Sequence, residues 1–415
     1  MIFITDNGKE TAYESINHIS EAIKGKSNIN IRFGEGKYYV DKTIILKGKN
    51  ITFSACQKAK SKPRLIGGKL IKGWEHYKDG IYSVSVGDLK FNRLYEDGKA
   101  AVMARYPSKN PKLGNGPFLR APMDTMKGYD HQKEFRFNDD VPKFDWEKGA
   151  KVYAMPAAPA HGGIDNLDID KGLFSYTFIA PISNLDWDKR IISVPKIIRP
   201  ENDAFMSMGY GIDYFLQGAL EFLTEPGEFF LDNKAKKLYY KPMDSIRDIN
   251  ELEIIVPLVR QLISIEESSD VTIRGLQLEV TDNADIMPMF QGVGDPNKAI
   301  GCVVSLYSVS NVTIESCNIY NSGESGIMVH SPEKKGSSYV NILNNNIRNI
   351  GYIGVNLADG DNDNFIIKNN LLTDIGQVNG YSYGFGSWGC TNLGSLRGDL
   401  AHSSWGIPQF LHRKG

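Results

Sequence analysis

The chain has 415 residues and is 41% hydrophobic, which supplies apolar side chains for a sizeable core and for one large domain or two to three ordinary ones. With 48 Lys+Arg against 49 Asp+Glu there is no net field to draw in nucleic acid or an anionic membrane, and both are excluded as expected partners. Cys56, Cys302, Cys317 and Cys390 lack the paired spacing of a zinc site and the density of a disulfide scaffold, so they read as reduced, mostly buried thiols.

From the N-terminus, Met1 to Asp6 holds a four-residue apolar run with no basic stretch before it, too short for the core of a signal peptide, and no later segment has the length of a membrane span. The chain as written reads as soluble, cytoplasmic and monomeric, or as secreted or periplasmic if a leader has been removed. Thr11 and Glu14 form a capping-box pattern, with Ala12, Ile16, Ile19 and Ile23 at helical spacing. This predicts an amphipathic helix that caps the open end of a strand stack. Four short strands come next, Asn28 to Ile31, Lys37 to Val40, Thr43 to Leu46 and Asn50 to Phe53, separated by turn residues. Residues 1–73 are read as the cap and first coils of a solenoid.

Between Trp74 and about residue 260 no repeat is visible, and aromatic and turn residues are frequent. This predicts a β-rich insertion, with Glu228 to Leu231 and Leu238 to Tyr240 as a hairpin around Asp232-Asn233. From residue 261 to 380 a repeat dominates. Asp270 to Ile273, Asn311 to Ile314, Tyr339 to Ile342 and Asn364 to Ile367 open successive units, their isoleucines 41, 28 and 25 residues apart. Three residues on stand Leu276, Cys317, Asn345 and Asn370, and two further Leu278, Ile319, Ile347 and Leu372. Gly323, Gly351 and Gly376 then recur, read as the positive-φ corner between sheets. Aligned apolar positions in short strands stack coil on coil into one core, and stacked asparagines hydrogen-bond along the axis. The predicted fold is all-β, a right-handed parallel β-helix. After Gly380 the sequence shows no further rung, so 381–415 is expected to be an irregular, aberrant tail of a truncated chain.

Gly67-Gly68, Gly73-Trp74, Leu94 to Gly98, Ala104 to Pro107, Glu225 to Asp232 and Leu238 to Tyr240 stand in an order that resembles the family 141 glycoside hydrolases and their relatives, over roughly residues 29–380. The resemblance implies the pectin-lyase-like β-helix architecture and action on carbohydrate, with no cofactor and an oligosaccharide or polysaccharide from plant cell wall or host as substrate. Arg105, Tyr106 and Trp74 are read as packing residues of the insertion.

Glycoside hydrolysis usually needs two carboxyl groups, one protonated and one ionised. Neighbouring coils, about 4.8 Å apart, can present both. The leading candidate is Asp361, in the Gly360-Asp361 element that relatives tend to carry at this corner. Asp359 is second, and a solvated Asp/Asn turn is the plain alternative. Glu324 is a third candidate one coil earlier. His330 and Asp374 are candidates for substrate contact, with turn capping the alternative for Asp374. Asp359, Asp361 and Asp363 alternate with Gly360 and Asn362, an oxygen-rich run weighed for calcium. It lacks the later Glu of an EF-hand, so no metal is assigned and calcium stays a weak option tied to a polysaccharide lyase. Glycosidase, noncatalytic carbohydrate-binding remnant and lyase are the three readings carried forward.

Overall fold

The computed structural model describes the chain apart from residues 17, 18, 20, 21, 24, 111–115, 122–132, 139, 157–176, 196–211, 288–300, 331–334, 359–360, 380–381, 388–392, 398–399 and 404–415. Three sheets of short parallel strands wind into a solenoid. One coil shows the plan: Ser310–Glu315 belongs to the first sheet, Asn318–Ser322 to the second and Ser325–Val329 to the third, after which Ser338–Leu343 re-enters the first. The register is the one the repeat demands. Ile273, Ile314, Ile342 and Ile367 are laddered neighbours in the first sheet. Leu278, Ile319, Ile347 and Leu372 are laddered in the second. All eight are buried within one core cluster that runs the length of the stack, each burial worth about 1.5–3 kcal/mol. The early strands join the same stack: Lys49–Ala55 pairs with Ser269–Arg274, Ile44–Leu46 with Gln261–Glu266 and Arg64–Ile66 with Gln277–Thr281.

Asparagine carries the corners. Asn345 and Asn370, 2% and 1% exposed, bond to each other through Nδ2 and Oδ1 at 3.0 Å, and Asn345 Oδ1 accepts from the Cys317 amide at 2.9 Å. The expected glycine role needs correction at two of three positions. Gly376 has φ +85°, but the left-handed residues of the earlier corners are Asn321 and Asn349, with Asp374 beside Gly376 completing their column at φ 56°, 56° and 54°. Gly323 and Gly351 are required for proximity instead: a Cβ on Gly351 would lie 2.0 Å from the Gly323 carbonyl oxygen, and one on Gly323 would lie 2.4 Å from the Asn283 nitrogen.

Expectations at both ends need correction. The capping-box residue Thr11 lies in the strand Lys9–Tyr13, which pairs antiparallel with Ile2–Asp6, and that strand in turn lies antiparallel to Ile29–Phe33. The open edge of the first sheet is thus covered by a hairpin, because free backbone groups there are satisfied by strand pairing more directly than by a helix laid across them. Ile16, Ile19 and Ile23 are buried in the solenoid core as their spacing suggests, and Ile19, Ala22 and Ile23 are helical, although five residues of 17–24 lie outside the described ones. At the other end the repeat does not stop at Gly380. Phe385–Ser387, Leu393–Arg397 and Leu400–Ser403 add a further strand to the third, first and second sheets. Register shifts at Phe365/Ile366 and between Leu372 and Ile375 break the period that would have revealed this rung.

The insertion has two cores of its own, one around Phe135, Val152, Phe178, Tyr214 and Phe230 and one around Trp74, Leu94, Phe229 and Tyr240. Its hairpin Glu228–Asp232 with Lys237–Tyr240 forms as expected. Gly68–Leu70 pairs with Ile254–Pro257, which pairs with Tyr95–Glu96, so the two ends of the excursion are stitched together beside the second sheet. Gly67 and Gly68 permit that seam, since a Cβ on either would lie 2.4 Å from a backbone oxygen, of Val280 or Val256. Trp74 packs in the second of these cores, and Arg105 serves within the insertion by donating to the Pro107 and Pro117 carbonyls. Cys302 and Cys317 are buried free thiols and Cys56 is half-buried; Cys390 lies outside the described residues. No helix among the described residues is long and apolar enough to cross a membrane.

Candidate functional site

Side chains alternate across a strand, so while Leu278, Ile319 and Ile347 point into the core, the next residue along each strand faces outward. Those residues are Glu279, Tyr320 and Arg348, laddered one above another on the outer face of the second sheet. The Arg348 guanidinium lies 4.1 Å from the centre of the Tyr320 ring. Arg64, one coil below Glu279, donates through Nε to Glu279 at 2.6 Å and through Nη2 to Glu253 of the insertion at 2.7 Å. Lys37 also pairs with Glu253. Glu279 is 1% exposed, and burying a carboxylate is costly unless it is paired, as it is here with Arg64.

The insertion roofs this face. The Tyr95 hydroxyl donates to the Asn321 carbonyl at 3.0 Å, and Asn321 Nδ2 donates to the Gly98 carbonyl at 3.1 Å, holding the turn at Asp97-Gly98 over the sheet. Between roof and sheet is a hollow of about 840 Å³, walled by Glu279, Tyr320, Arg348, Asn349 and Asp374 on one side and by Asp97 to Ala100 on the other. Sharing Ala100 and Gln377 with it is a cavity of about 100 Å³ at the junction, lined by Asn92, Arg93, Arg105, Lys109 and Lys151. A third hollow of about 270 Å³ shares Asn92, Met103 and Lys151 with the second. The first two adjoin where insertion meets solenoid and form the furrow, and the third lies beside them within the insertion.

At the second-to-third-sheet corner the furrow is backed by two buried acids. Asp282 accepts from the Asn92 amide at 3.0 and 3.1 Å, and burial pushes its carboxyl up to about 7 against the hydrogen bonds that hold it down. Glu324, one coil on, is wholly buried: Oε1 accepts from Arg260 Nη2 at 2.6 Å and from the Ala284 amide at 2.8 Å, and Oε2 from the Gly301 amide at 2.8 Å. Both carboxylate oxygens are engaged by the protein, the surroundings of an anchor for the corner.

The residues singled out in the sequence are therefore spread over three places. Asp361 is exposed at the third-to-first-sheet corner, its carbonyl stacked so closely on Gly336 that a Cβ there would lie 1.6 Å away. His330 is half-buried at the same corner, its amide donating to the Leu306 carbonyl at 3.0 Å. Asp359 lies outside the described residues. Glu324 sits at the other end of the five-residue strand Ser325–Val329, which separates it from the Asp361 corner by about 16 Å at 3.3 Å per residue, so these two acids do not share one cleft. Among the described members of the set, Asp374 alone lines the furrow. Sequence reasoning misses Glu279, Tyr320 and Arg348, although their fixed position after each aligned apolar residue marks an outward-facing column. Asp282, Arg93, Lys109 and Lys151 come together only through the insertion, which no periodic signal reports. Among the described residues no three His, Cys, Asp or Glu side chains gather as a metal-binding group.

These sheets, their register and the buried isoleucine columns define a right-handed parallel β-helix protein with a β-rich insertion. Residues 261–392 match the family described as the right handed beta helix region. Among solved structures, one described as a glycoside hydrolase superposes with a TM-score of 0.61 at 15% identity, covering 91% of this chain and 70% of that one. The complex of XylC with xylose is a weaker likeness, TM-score 0.35 at 12% identity, covering 91% and 60%. The tailspike protein gp49 from Pseudomonas phage LKA1 follows at 0.23 and 9%, covering 87% and 46%. Only the first is near enough in shape to bear on the fold. No curated protein matches the chain by sequence.

Proposed function

We propose that this chain processes carbohydrate, as a glycoside hydrolase that seats a plant or host polysaccharide in the furrow over the second sheet. The observation that carries the reading is the furrow itself: its main hollow is about 840 Å³, within the usual size of ligand clefts, and it runs past successive coils from Arg64 through Glu279, Tyr320 and Arg348 to Asp374, as a chain of sugars requires. Its lining suits hydroxyl-rich rings, with an arginine on an aromatic ring, stacked Asn321 and Asn349, and carboxylates at Asp374, Glu253 and Glu279. The structural neighbour described as a glycoside hydrolase supports the same class. Asp374 is our first choice for a carboxyl group that meets substrate, and Asp361, with Asp359, is the competing locus at the far corner.

Purified protein incubated with plant and host glycans, scored for new reducing ends and for unsaturated products, tests this. Hydrolysis that falls at least about a hundredfold in Asp374→Asn and is kept in Asp361→Asn supports the furrow; the reverse moves the site to the corner. Unsaturated ends would replace hydrolysis by elimination. A second reading, noncatalytic glycan binding, is favoured by the prior pairing of Glu253 and Glu279 with Arg64, and binding without turnover would establish it.

A further inference from the structure

The junction cavity of about 100 Å³ is lined by four cationic side chains, Arg93, Arg105, Lys109 and Lys151, and by no carboxylate among the described residues. Collecting like charges in a space walled by Tyr153, Ile179 and Phe215 is unfavourable unless something neutralises them. Two of the four are accounted for. Arg105 gives its hydrogens to the Pro107 and Pro117 carbonyls and lays its guanidinium 3.5 Å from the centre of the Phe215 ring. Lys151 pairs with Asp285 at 2.8 Å, on the side away from the cavity lining. Arg93 lies against the Tyr95 hydroxyl and acts electrostatically on the buried Asp282, whose carboxyl burial pushes up to about 7, and its Nε is buried with no hydrogen-bond partner among the described residues. Lys109 has no acidic partner among them, and burial with the nearby Arg93 and Arg105 pushes its ammonium down to about 8. Positive charge is in surplus at Arg93 and Lys109, at the inner end of a furrow open to solvent.

We propose that this cavity is an oxyanion pocket that receives the carboxylate of a uronic acid, or a sulfate ester, on a glycan held in the furrow. The inference rests on the carbohydrate reading above and narrows it to acidic glycans. A carboxylate entering between Arg93 and Lys109 replaces their mutual repulsion with charge-assisted hydrogen bonds, and its ring stays in the wider hollow. The other titratable groups facing the pocket are Lys151 with Asp285, Asp282 behind Asn92, Tyr153, and Glu228 near Arg105.

The test is calorimetric binding of three probes of equal length: a uronic-acid trisaccharide, its methyl ester, and a neutral trisaccharide carrying one sulfate. The acid binds about tenfold or more tighter than the ester, and Lys109→Met and Arg93→Met each erase that preference and leave ester binding intact. Affinity for the acid falls between pH 7 and 9 in the wild type and much less in Lys109→Arg, whose charge persists; any loss that remains in that variant belongs to ionisation of Asp282. The sulfated probe shows whether the pocket prefers sulfate to carboxylate. Equal affinity for acid and ester, or preference unchanged in Lys109→Met and Lys109→Arg alike, overturns the pocket while leaving the carbohydrate reading standing. Absence of binding by all three probes, together with no glycan cleavage in the broad screen, overturns both.

Discussion

Replacing Asn345 by Ala tests the idea that buried asparagines hold successive coils in register. Three side-chain bonds disappear: from the Cys317 amide to Oδ1 at 2.9 Å, and from Nδ2 to the Ile314 carbonyl and to Asn370 Oδ1, both at 3.0 Å. The Cys317 amide is left without that acceptor inside the turn, at about 1–3 kcal/mol, and the other two bonds contribute about 1 kcal/mol each. Asn370 Oδ1 keeps the Asn345 amide as a donor at 3.0 Å, so its loss is partial. The expected destabilisation is about 3–5 kcal/mol. Urea unfolding followed by circular dichroism should show a lower midpoint at unchanged slope. Asn345→Asp keeps the shape and the acceptor but sets a negative charge against the Ile314 carbonyl and Asn370 Oδ1. Its deficit should exceed that of Ala at neutral pH and shrink in acid as the new carboxyl is protonated. A loss below about 1 kcal/mol in Asn345→Ala, or an Asp variant indifferent to pH, would refute the ladder as a source of stability.

Asp282, held at about 7 against an ordinary 3.8, keeps a proton in the folded state that the unfolded chain releases. Its contribution is therefore neutral below about pH 4, turns unfavourable as pH rises, and levels off above about 7 at a cost of ~4 kcal/mol. Asp282→Asn should remove this fall, measured as the difference between wild-type and variant urea midpoints at pH 5 and pH 8; parallel profiles would show that the carboxyl is not held protonated. Gly351→Ala forces a Cβ to 2.0 Å from the Gly323 carbonyl oxygen and should cost about 3 kcal/mol by thermal unfolding, with an intact melting temperature as the contrary result. Arg64→Met strands the buried Glu279 and should destabilise by about 3–5 kcal/mol, and adding Glu279→Gln should recover part of that loss, which a double-mutant cycle reads directly.

The solenoid was legible because parallel, in-register stacking makes neighbouring coils present the same residue to the same neighbour, so Ile273, Ile314, Ile342 and Ile367 repeat as a column must. The corners were legible in place but not in mechanism. Gly323 and Gly351 looked like positive-φ residues, yet the left-handed turn falls two residues earlier on Asn321 and Asn349, whose short polar side chains tolerate it. Glycine is needed where coils touch, a contact between distant residues that local reasoning does not see. The last rung was hidden by bulges, and the N-terminal hairpin by a helical spacing that also suits burial of Ile16, Ile19 and Ile23. The insertion was illegible for the same reason on a larger scale. Its seam pairs Gly68–Leu70 with Ile254–Pro257 across the whole excursion, and no period connects the two.

The position of the furrow derives from that seam. Because the excursion closes beside the second sheet, its hairpin of Tyr95–Glu96 with Lys99–Ala100 lies across that sheet, fixed by Tyr95 and Gly98 to Asn321 and by Asn92 to Asp282. The same contacts that dock the insertion thus shape the walls of the cleft and bury Asp282 deeply enough to raise its carboxyl. Docking and site are one set of bonds, so Tyr95→Phe, which removes the 3.0 Å bond to the Asn321 carbonyl and the contact of the hydroxyl with Arg93, should cost about 1–2 kcal/mol in stability and weaken glycan affinity with it. If stability falls and affinity does not, the roof over the second sheet is scaffolding alone, and the sugar must lie elsewhere on the solenoid.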